Sequence, residues 1–136
     1  SNGLYTVQDP NQSEDNLRCT LHADGNGDYS FSTIKPISYT VPEDGAAGEL
    51  MRAAGRHCWR PAHIHVMVSA PDHKRYIGQI FNEKDPYIDE DAVFGVRSDL
   101  VVSFDEQPSD SDYERFKHVE RPFNVVSMDF VLALTK

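Results

Sequence analysis

The sequence has few basic residues and no long apolar run. Its 13 lysines and arginines stand against 22 aspartates and glutamates, which gives a formal net charge of -9. Nucleic acids and anionic membrane surfaces bind concentrated positive charge, so this balance argues against both. No apolar stretch is long enough to span a bilayer as a helix. The composition therefore predicts no nucleic-acid partner and no membrane partner.

Cysteine is also scarce. Cys19 and Cys58 are the two cysteines of a 136-residue chain, too few for a disulfide scaffold. They fit a reducing compartment, and we expect a cytoplasmic protein. The chain length is that of one domain with a substantial core, so we expect residues 1–136 to form a single domain.

Short runs of β-branched and aromatic residues recur between turn-rich segments. They cover residues 28–34, 63–70, 75–81, 99–104 and 123–134. This rhythm predicts an all-β fold, a β-sandwich of short, mostly antiparallel strands with long loops. One short helix is predicted over residues 48–56, where glycines stand at the expected start and stop, and residues 111–118 are expected to form one helical turn.

Two acidic segments invite comparison with calcium-binding loops. The segment DGNGDYSFSTIK has oxygen-bearing side chains at loop positions one, three and five, but Tyr29 and Lys35 replace the glycine and glutamate that an EF-hand needs. A glycine- and asparagine-rich hairpin turn is the better interpretation. Residues 85–96 lack the spacing altogether and are predicted to form a solvated loop.

The segment RPAHIHVMVSAP carries two histidines in a predicted strand. His63 and His65 are two residues apart, so they project from the same face, and Ile64, Val66 and Val68 supply the opposite, core-facing side. The spacing suits two ligands of one metal ion, but it suits two hydrogen-bonded or exposed histidines equally well. Two histidines do not complete a site, because zinc and ferrous centres usually take a third histidine, a carboxylate or a thiolate.

Tyr39 is a candidate for a further ligand. It lies between Pro36 and Pro42, which restrict the backbone on both sides. A phenol has a pKa near 10, and a hard trivalent cation can displace its proton. A mixed set of imidazole and phenolate ligands therefore favours Fe(III) over zinc. A tyrosine in a strand is, however, more commonly a packing residue.

Several segments together resemble a known family. These segments are GLYTVQDP, DGNGDYSFSTIKPISYTVPEDG, GRHCWRPAHIH, GQIF and DPYIDEDAVFGV. They resemble the catalytic domain of the intradiol ring-cleavage dioxygenases, and within that family the catechol and hydroxyquinol 1,2-dioxygenases. The resemblance runs in order over residues 1–104, about three quarters of the chain.

The resemblance implies a non-haem Fe(III) centre with four protein ligands. The family's two tyrosines and two histidines fall on Tyr5, Tyr39, His63 and His65. Tyr39 corresponds to the tyrosine that stays bound. Tyr5 corresponds to the one that leaves when substrate binds and then accepts a proton from it.

The resemblance also implies catalytic and substrate-contacting residues. Arg60 corresponds to an arginine that stabilises negative charge on the activated ring, and Gln79 to a residue that orients reaction intermediates. The implied substrates are an aromatic diol and dioxygen. Ala92 and Val93 stand where many catechol-cleaving relatives carry a bulkier side chain, which would leave room for a further ring substituent and slightly favours hydroxyquinol.

Part of the family fold precedes the segments found here. Relatives usually begin with a helical linker that makes a homodimer and with the first strands of the sandwich, so we expect this chain to be N-terminally incomplete. Two other functions stay open at this point. One is a divalent-metal hydrolase built on the histidine pair, and the other is a catalytically silent β-sandwich binding module.

Overall fold

The computed structural model describes residues 9–135. Five short strands, two α-helices and one 3-10 turn make up its regular structure. In chain order they are β1 (Tyr39–Thr40), α1 (Ala46–Ala53), β2 (Trp59–Arg60), β3 (His63–Val68), β4 (Tyr76–Asn82), the 3-10 turn (Ser98–Leu100), β5 (Val101–Val102) and α2 (Asp110–Arg115). Among the described residues, no helix has the length and apolar character needed to cross a membrane.

The strands form two small sheets. β1 pairs with β2 antiparallel, with Tyr39 opposite Arg60. β3, β4 and β5 form the second sheet, in which β3 and β4 are antiparallel and β4 and β5 are parallel. The prediction of a sheet-rich domain is confirmed, whereas its arrangement as a two-layer sandwich stays a prediction.

β3 has the alternation that the sequence predicts. Ile64, Val66 and Val68 are half-buried, whereas His65 and Met67 on the other face are exposed. The core beneath the sheet is small and consists of Cys58, Ala62, Ile80, Phe81, Ala92, Leu100 and Phe104. Phe81 is fully buried and stands opposite His63 in the β3–β4 ladder, so the start of β3 is its best-packed end.

The helices differ from prediction in their bounds. α1 starts at Ala46, directly after Gly45, and not at Gly48 as predicted. Gly48 lies inside the helix, where a Cβ atom would come within 1.8 Å of the Glu43 carbonyl oxygen. Gly55, with φ of 64°, follows the helix end as predicted.

The helical turn predicted over residues 111–118 is found in the structure. α2 is a second helix, and Ser109 and Asp112 close a capping box at its start. That reciprocal pair satisfies backbone N–H groups that the first turn of a helix leaves without partners. The Ser-x-x-Asp spacing was the available sequence signal.

Two predicted strands do not form ladders. Residues 28–34 contain no strand, and residues 123–134 make only isolated bridges, Val125 to Glu106 and Leu134 to His73. A strand requires a partner backbone at the right distance as well as an alternating pattern. Here the two segments meet through a side chain instead, because Tyr29 Oη donates a hydrogen bond of 2.6 Å to the Met128 carbonyl.

Candidate metal centre

Two strand pairings bring four of the predicted site residues together. The β1–β2 pairing sets Tyr39 opposite Arg60, and the β3–β4 pairing sets His65 opposite Gln79. Pro61 and Ala62 then connect Arg60 directly to the start of β3, where His63 lies. Residues from three separate stretches of the chain thus converge on one end of the sheet.

His63 and His65 face each other through their Nε2 atoms, which are 3.3 Å apart. His63 Nδ1 donates to the Pro61 carbonyl oxygen at 2.7 Å, so its Nε2 atom carries the lone pair. Gln79 Nε2 approaches the other ring nitrogen of His65, Nδ1, at 3.4 Å. A cation held by both Nε2 atoms would lie between the two rings, and the spacing fits metal–nitrogen bonds of about 2.1 Å.

Both histidines are held in the neutral form that a metal requires. Burial lowers the pKa of His63 to about 4, and the nearby Arg60 guanidinium acts in the same direction. Burial, followed by Arg60, also lowers the pKa of His65. Neutral imidazoles at ordinary pH are ready to donate a nitrogen lone pair.

Arg60 joins Tyr39 to the histidine pair. Its Nη1 atom donates to Tyr39 Oη at 3.4 Å and lies 3.3 Å from His63 Nε2. The Tyr39 and His63 rings are 5.5 Å apart between centroids. The phenol oxygen and an imidazole nitrogen therefore surround the tip of a single guanidinium group.

Arg60 is itself held by an ion pair that sequence reasoning missed. Its Nε atom contacts Asp91 Oδ1 at 3.0 Å and its Nη2 atom contacts Asp91 Oδ2 at 3.2 Å. Nη2 also donates to Gln79 Oε1 at 2.8 Å. Although burial raises the pKa of Asp91, hydrogen bonds from Arg60 and from the Gly95 and Val93 amides outweigh it and lower that pKa.

A second buried carboxylate links the segments that carry the ligands. Asp85 Oδ2 accepts hydrogen bonds from Ser38 Oγ at 2.7 Å and from the Ala62 amide at 2.8 Å. Ser38 precedes Tyr39 and Ala62 precedes His63, so one carboxylate fixes the approach of both. The prediction that residues 85–96 are a solvated loop is wrong for Asp85 and Asp91, which are 6% and 4% exposed.

The donor set fits a hard ferric ion better than zinc. Within residues 9–135, no three histidine, cysteine or carboxylate side chains cluster as a metal site. The phenol of Tyr39 contacts the same Arg60 Nη1 atom as His63 Nε2, and a set of imidazole and phenolate ligands suits Fe(III). Tyr5, the predicted fourth ligand, lies outside the described residues.

The predicted substrate-pocket residues follow Asp91 directly. Ala92 is buried and donates its amide N–H to the Trp59 carbonyl at 3.0 Å. Val93 is 47% exposed, and its amide N–H donates to Asp91 Oδ1 at 3.3 Å. Their place in a substrate pocket stays a prediction.

Comparison with known proteins agrees with this geometry. The profile of the Dioxygenase family matches residues 1–133. An intradiol ring-cleavage dioxygenase of Aspergillus niger is 44% identical over 110 residues, which are 81% of this chain and 35% of that protein. A hydroxyquinol 1,2-dioxygenase of Rhizobium sp. is 40% identical over 132 residues, which are 96% of this chain and 45% of that protein.

Solved structures give the same result. The catechol 1,2-dioxygenase of Acinetobacter radioresistens superposes with a TM-score of 0.88 at 32% identity, covering 100% of this chain and 44% of that one. The hydroxyquinol 1,2-dioxygenase of Pseudomonas putida DLL-E4 gives a TM-score of 0.84 at 38% identity, covering 98% and 47%. The chain thus spans less than half the length of these relatives. With the family profile covering nearly all of its residues, the chain belongs to the intradiol ring-cleavage dioxygenase family.

Proposed function

We propose that this chain carries the iron centre of a dioxygenase that cleaves catechol-type diols between the two hydroxyl-bearing carbons, using dioxygen. The product would be a muconate-type or maleylacetate-type acid. The observation that supports this most directly is the facing pair of Nε2 atoms on His63 and His65, 3.3 Å apart, with Tyr39 Oη at the adjoining Arg60. Tyr39, His63, His65 and Tyr5 would hold a non-haem Fe(III) ion.

The proposed ligands are of two kinds, neutral imidazoles and anionic phenolates. His63 and His65 bind as neutral donors, because burial lowers both of their pKa values. Tyr39 and Tyr5 would bind as phenolates and would offset two of the three positive charges of the ion, which favours the ferric state. When bound, the ferric ion supplies the Lewis acidity that draws the diol into its ionised, electron-rich form for reaction with dioxygen.

The residues around the proposed iron site would accept a proton, stabilise negative charge and orient the substrate. Tyr5, by its resemblance to the departing tyrosine of the family, would accept one hydroxyl proton of the diol. Arg60 places a permanently charged guanidinium beside Tyr39 and His63, where it would stabilise negative charge on the ring oxygens. Gln79 is fixed between Arg60 and His65 and would orient the substrate at the same place.

The substrate is proposed from the relatives' names and from one local feature. The relatives include enzymes named for hydroxyquinol and for catechol. Ala92 and Val93 are small where many catechol-cleaving relatives are bulkier, which would accommodate a third ring hydroxyl. We therefore propose hydroxyquinol ahead of catechol.

Metal content and colour test the proposal together. Phenolate bound to Fe(III) produces a broad visible absorption band, so the purified protein should be coloured and contain about one iron per chain. Tyr39→Phe should lose most of the band. Tyr113→Phe is the matched control, because Tyr113 lies on α2, where its ring packs against Phe123. A colourless protein that holds zinc and stays colourless after ferric reconstitution would overturn the proposal.

Oxygen uptake completes the test. The coloured protein should consume dioxygen in the presence of hydroxyquinol or catechol, and the aromatic absorption of the substrate should be replaced by that of an unsaturated diacid. If the iron-loaded protein consumed no dioxygen with either diol, the catalytically silent binding module would be favoured.

A further inference from the structure

We propose that Asp91 is a positioning residue for the reaction: it fixes the plane of the Arg60 guanidinium so that Nη2 meets Gln79 while Nη1 faces Tyr39 and His63. This inference rests on the proposed function and deepens it. It assigns a role to a carboxylate that is not among the proposed metal ligands.

One edge of the Arg60 guanidinium contacts Asp91, and the opposite nitrogen faces Tyr39 and His63. The Asp91 carboxylate accepts hydrogen bonds from Arg60 Nε at 3.0 Å and from Nη2 at 3.2 Å, the two nitrogens on one side of the guanidinium. Nη1 is left to point at Tyr39 Oη, 3.4 Å away, and at His63 Nε2, 3.3 Å away. Because the guanidinium is planar and rigid, fixing two of its nitrogens fixes the third.

Asp91 is in turn held by its own loop. Its Oδ2 atom accepts the Gly95 amide at 2.8 Å and its Oδ1 atom accepts the Val93 amide at 3.3 Å. The loop also closes tightly over the ion pair, since a Cβ atom at Gly95 would lie 2.9 Å from Arg60 Nη2 and 3.2 Å from Gln79 Oε1. The carboxylate therefore accepts four hydrogen bonds, two from Arg60 and two from its own loop.

Because the Arg60–Asp91 ion pair is buried, it contributes little to the stability of the fold. The side chains of Arg60 and Asp91 are 6% and 2% exposed. Removing two charges from water costs about as much as their attraction returns, so a buried pair adds little net stability. What the pair does provide is a single orientation of Arg60 next to the ligands, as a reacting site requires.

The chain offers a matched control for this ion pair. Arg97 contacts Asp99 through the same two atoms, Nε and Nη2, each at 3.2 Å. Those side chains are 71% and 63% exposed and lie outside the set of residues that meet at His63. Asp99→Asn therefore removes the same kind of pair without touching the site.

The experiment compares Asp91→Asn with Asp99→Asn in the iron-reconstituted full chain. We expect Asp91→Asn to lower kcat by about 100-fold, the scale of a displacement of about 1 Å at a reacting site, with a smaller change in KM. The visible band should be retained, since the metal ligands are unchanged. Asp99→Asn should keep kcat within about twofold of the parent.

Asp91→Glu separates positioning from folding. It keeps the charge but adds a methylene, so it should pair with Arg60, fold, and still lower kcat by roughly tenfold because the guanidinium is pushed out of place. Binding of 4-nitrocatechol, followed by its spectral shift, gives a readout independent of turnover and should weaken in both Asp91 variants. A wild-type protein without the visible band would refute the proposed function itself.

Three outcomes would overturn the positioning role. The first is a kcat within twofold of the parent in both folded Asp91 variants. The second is an equal loss in Asp99→Asn. The third is failure of both Asp91 variants to fold, which would assign Asp91 to stability instead.

Discussion

The Nε2 atoms of His63 and His65 lie 3.3 Å apart, so the two imidazoles present these nitrogens to each other. His63 donates its other nitrogen to the Pro61 carbonyl at 2.7 Å. His73 makes the same bond to the Pro71 carbonyl, also at 2.7 Å, but lies outside the convergent set. This local bond therefore does not distinguish the two histidines, and what distinguishes His63 is the second imidazole that faces it.

This contrast yields the first prediction. His63→Ala should lower the iron content of the purified chain from about one per chain to below about a tenth, because a ligand is lost. His73→Ala removes an identical hydrogen bond and should leave the iron content unchanged. Metal analysis after dialysis measures both. Equal iron in the two variants would contradict the assignment of His63.

The second prediction concerns pH. His63 has a pKa of about 4 in the folded chain against an ordinary value near 6.5, so the unfolded state binds more protons between those values. The stability of the metal-free chain should therefore be fully present above about pH 6.5 and should fall as the pH drops towards 4. Allowing for solvent screening at a half-buried site, we expect a contribution on the order of 1–2 kcal/mol.

His63→Gln provides the comparison. Chemical unfolding of the metal-free parent and variant at pH 7.5 and pH 4.5 gives the free energy of unfolding in each case. The loss between the two pH values should be smaller in the variant, because glutamine does not titrate. The same loss in both proteins would show that His63 does not carry this pH dependence.

The sequence predicted β3 and its histidines because the information there is local. Alternation in HIHVMV decides which side chains share a face, whatever surrounds them. β4 was predicted for the same reason. By contrast, residues 28–34 and 123–134 alternate equally well but form no ladder in the described part of the chain, since pairing depends on a second segment and not on the pattern alone.

The two buried aspartates could not be predicted from the same kind of pattern. Asp85 and Asp91 lie in an acidic loop rich in turn residues, where most carboxylates are solvated. Their burial is decided by distant donors, Ser38 and the Ala62 amide in one case and Arg60 in the other. The family resemblance identified Arg60 but said nothing about what holds it.

Asp85 gives the third prediction. Asp85→Asn replaces an acceptor by an NH2 group facing the Ser38 hydroxyl and the Ala62 amide, so the segments before Tyr39 and His63 should separate. We expect iron affinity to fall by roughly tenfold, the usual scale for supporting residues around a metal. Competition with a chelator measures it, and thermal unfolding should show a loss of about 1–3 kcal/mol.

Two variants make the interpretation specific. Ser38→Ala removes only the link towards Tyr39 and should weaken iron binding less than Asp85→Asn does. Asp105→Asn is the control, because Asp105 pairs with Lys35 and Lys84 at the surface. If Asp105→Asn weakened iron binding as much as Asp85→Asn, the effect would reflect lost charge and not lost geometry.

The fourth prediction concerns substrate choice. Ala92 is 5% exposed and directly follows Asp91, the residue that holds Arg60. Ala92→Val should lower kcat/KM for hydroxyquinol relative to catechol by about tenfold, because one or two added carbons in a closed pocket discriminate on that scale. Crowding of the core should cost about 1–3 kcal/mol of stability, which unfolding measurements on the same sample report separately.

Ala53→Val is the matched control for this change. Ala53 ends α1 on an exposed surface, so the same two methyl groups are added without entering the core. It should leave the ratio of the two kcat/KM values unchanged. An Ala92→Val protein that loses activity equally on both diols would place Ala92 in the packing that supports Arg60 and would remove it from the substrate pocket. A selective loss on hydroxyquinol would place its side chain against the third ring hydroxyl.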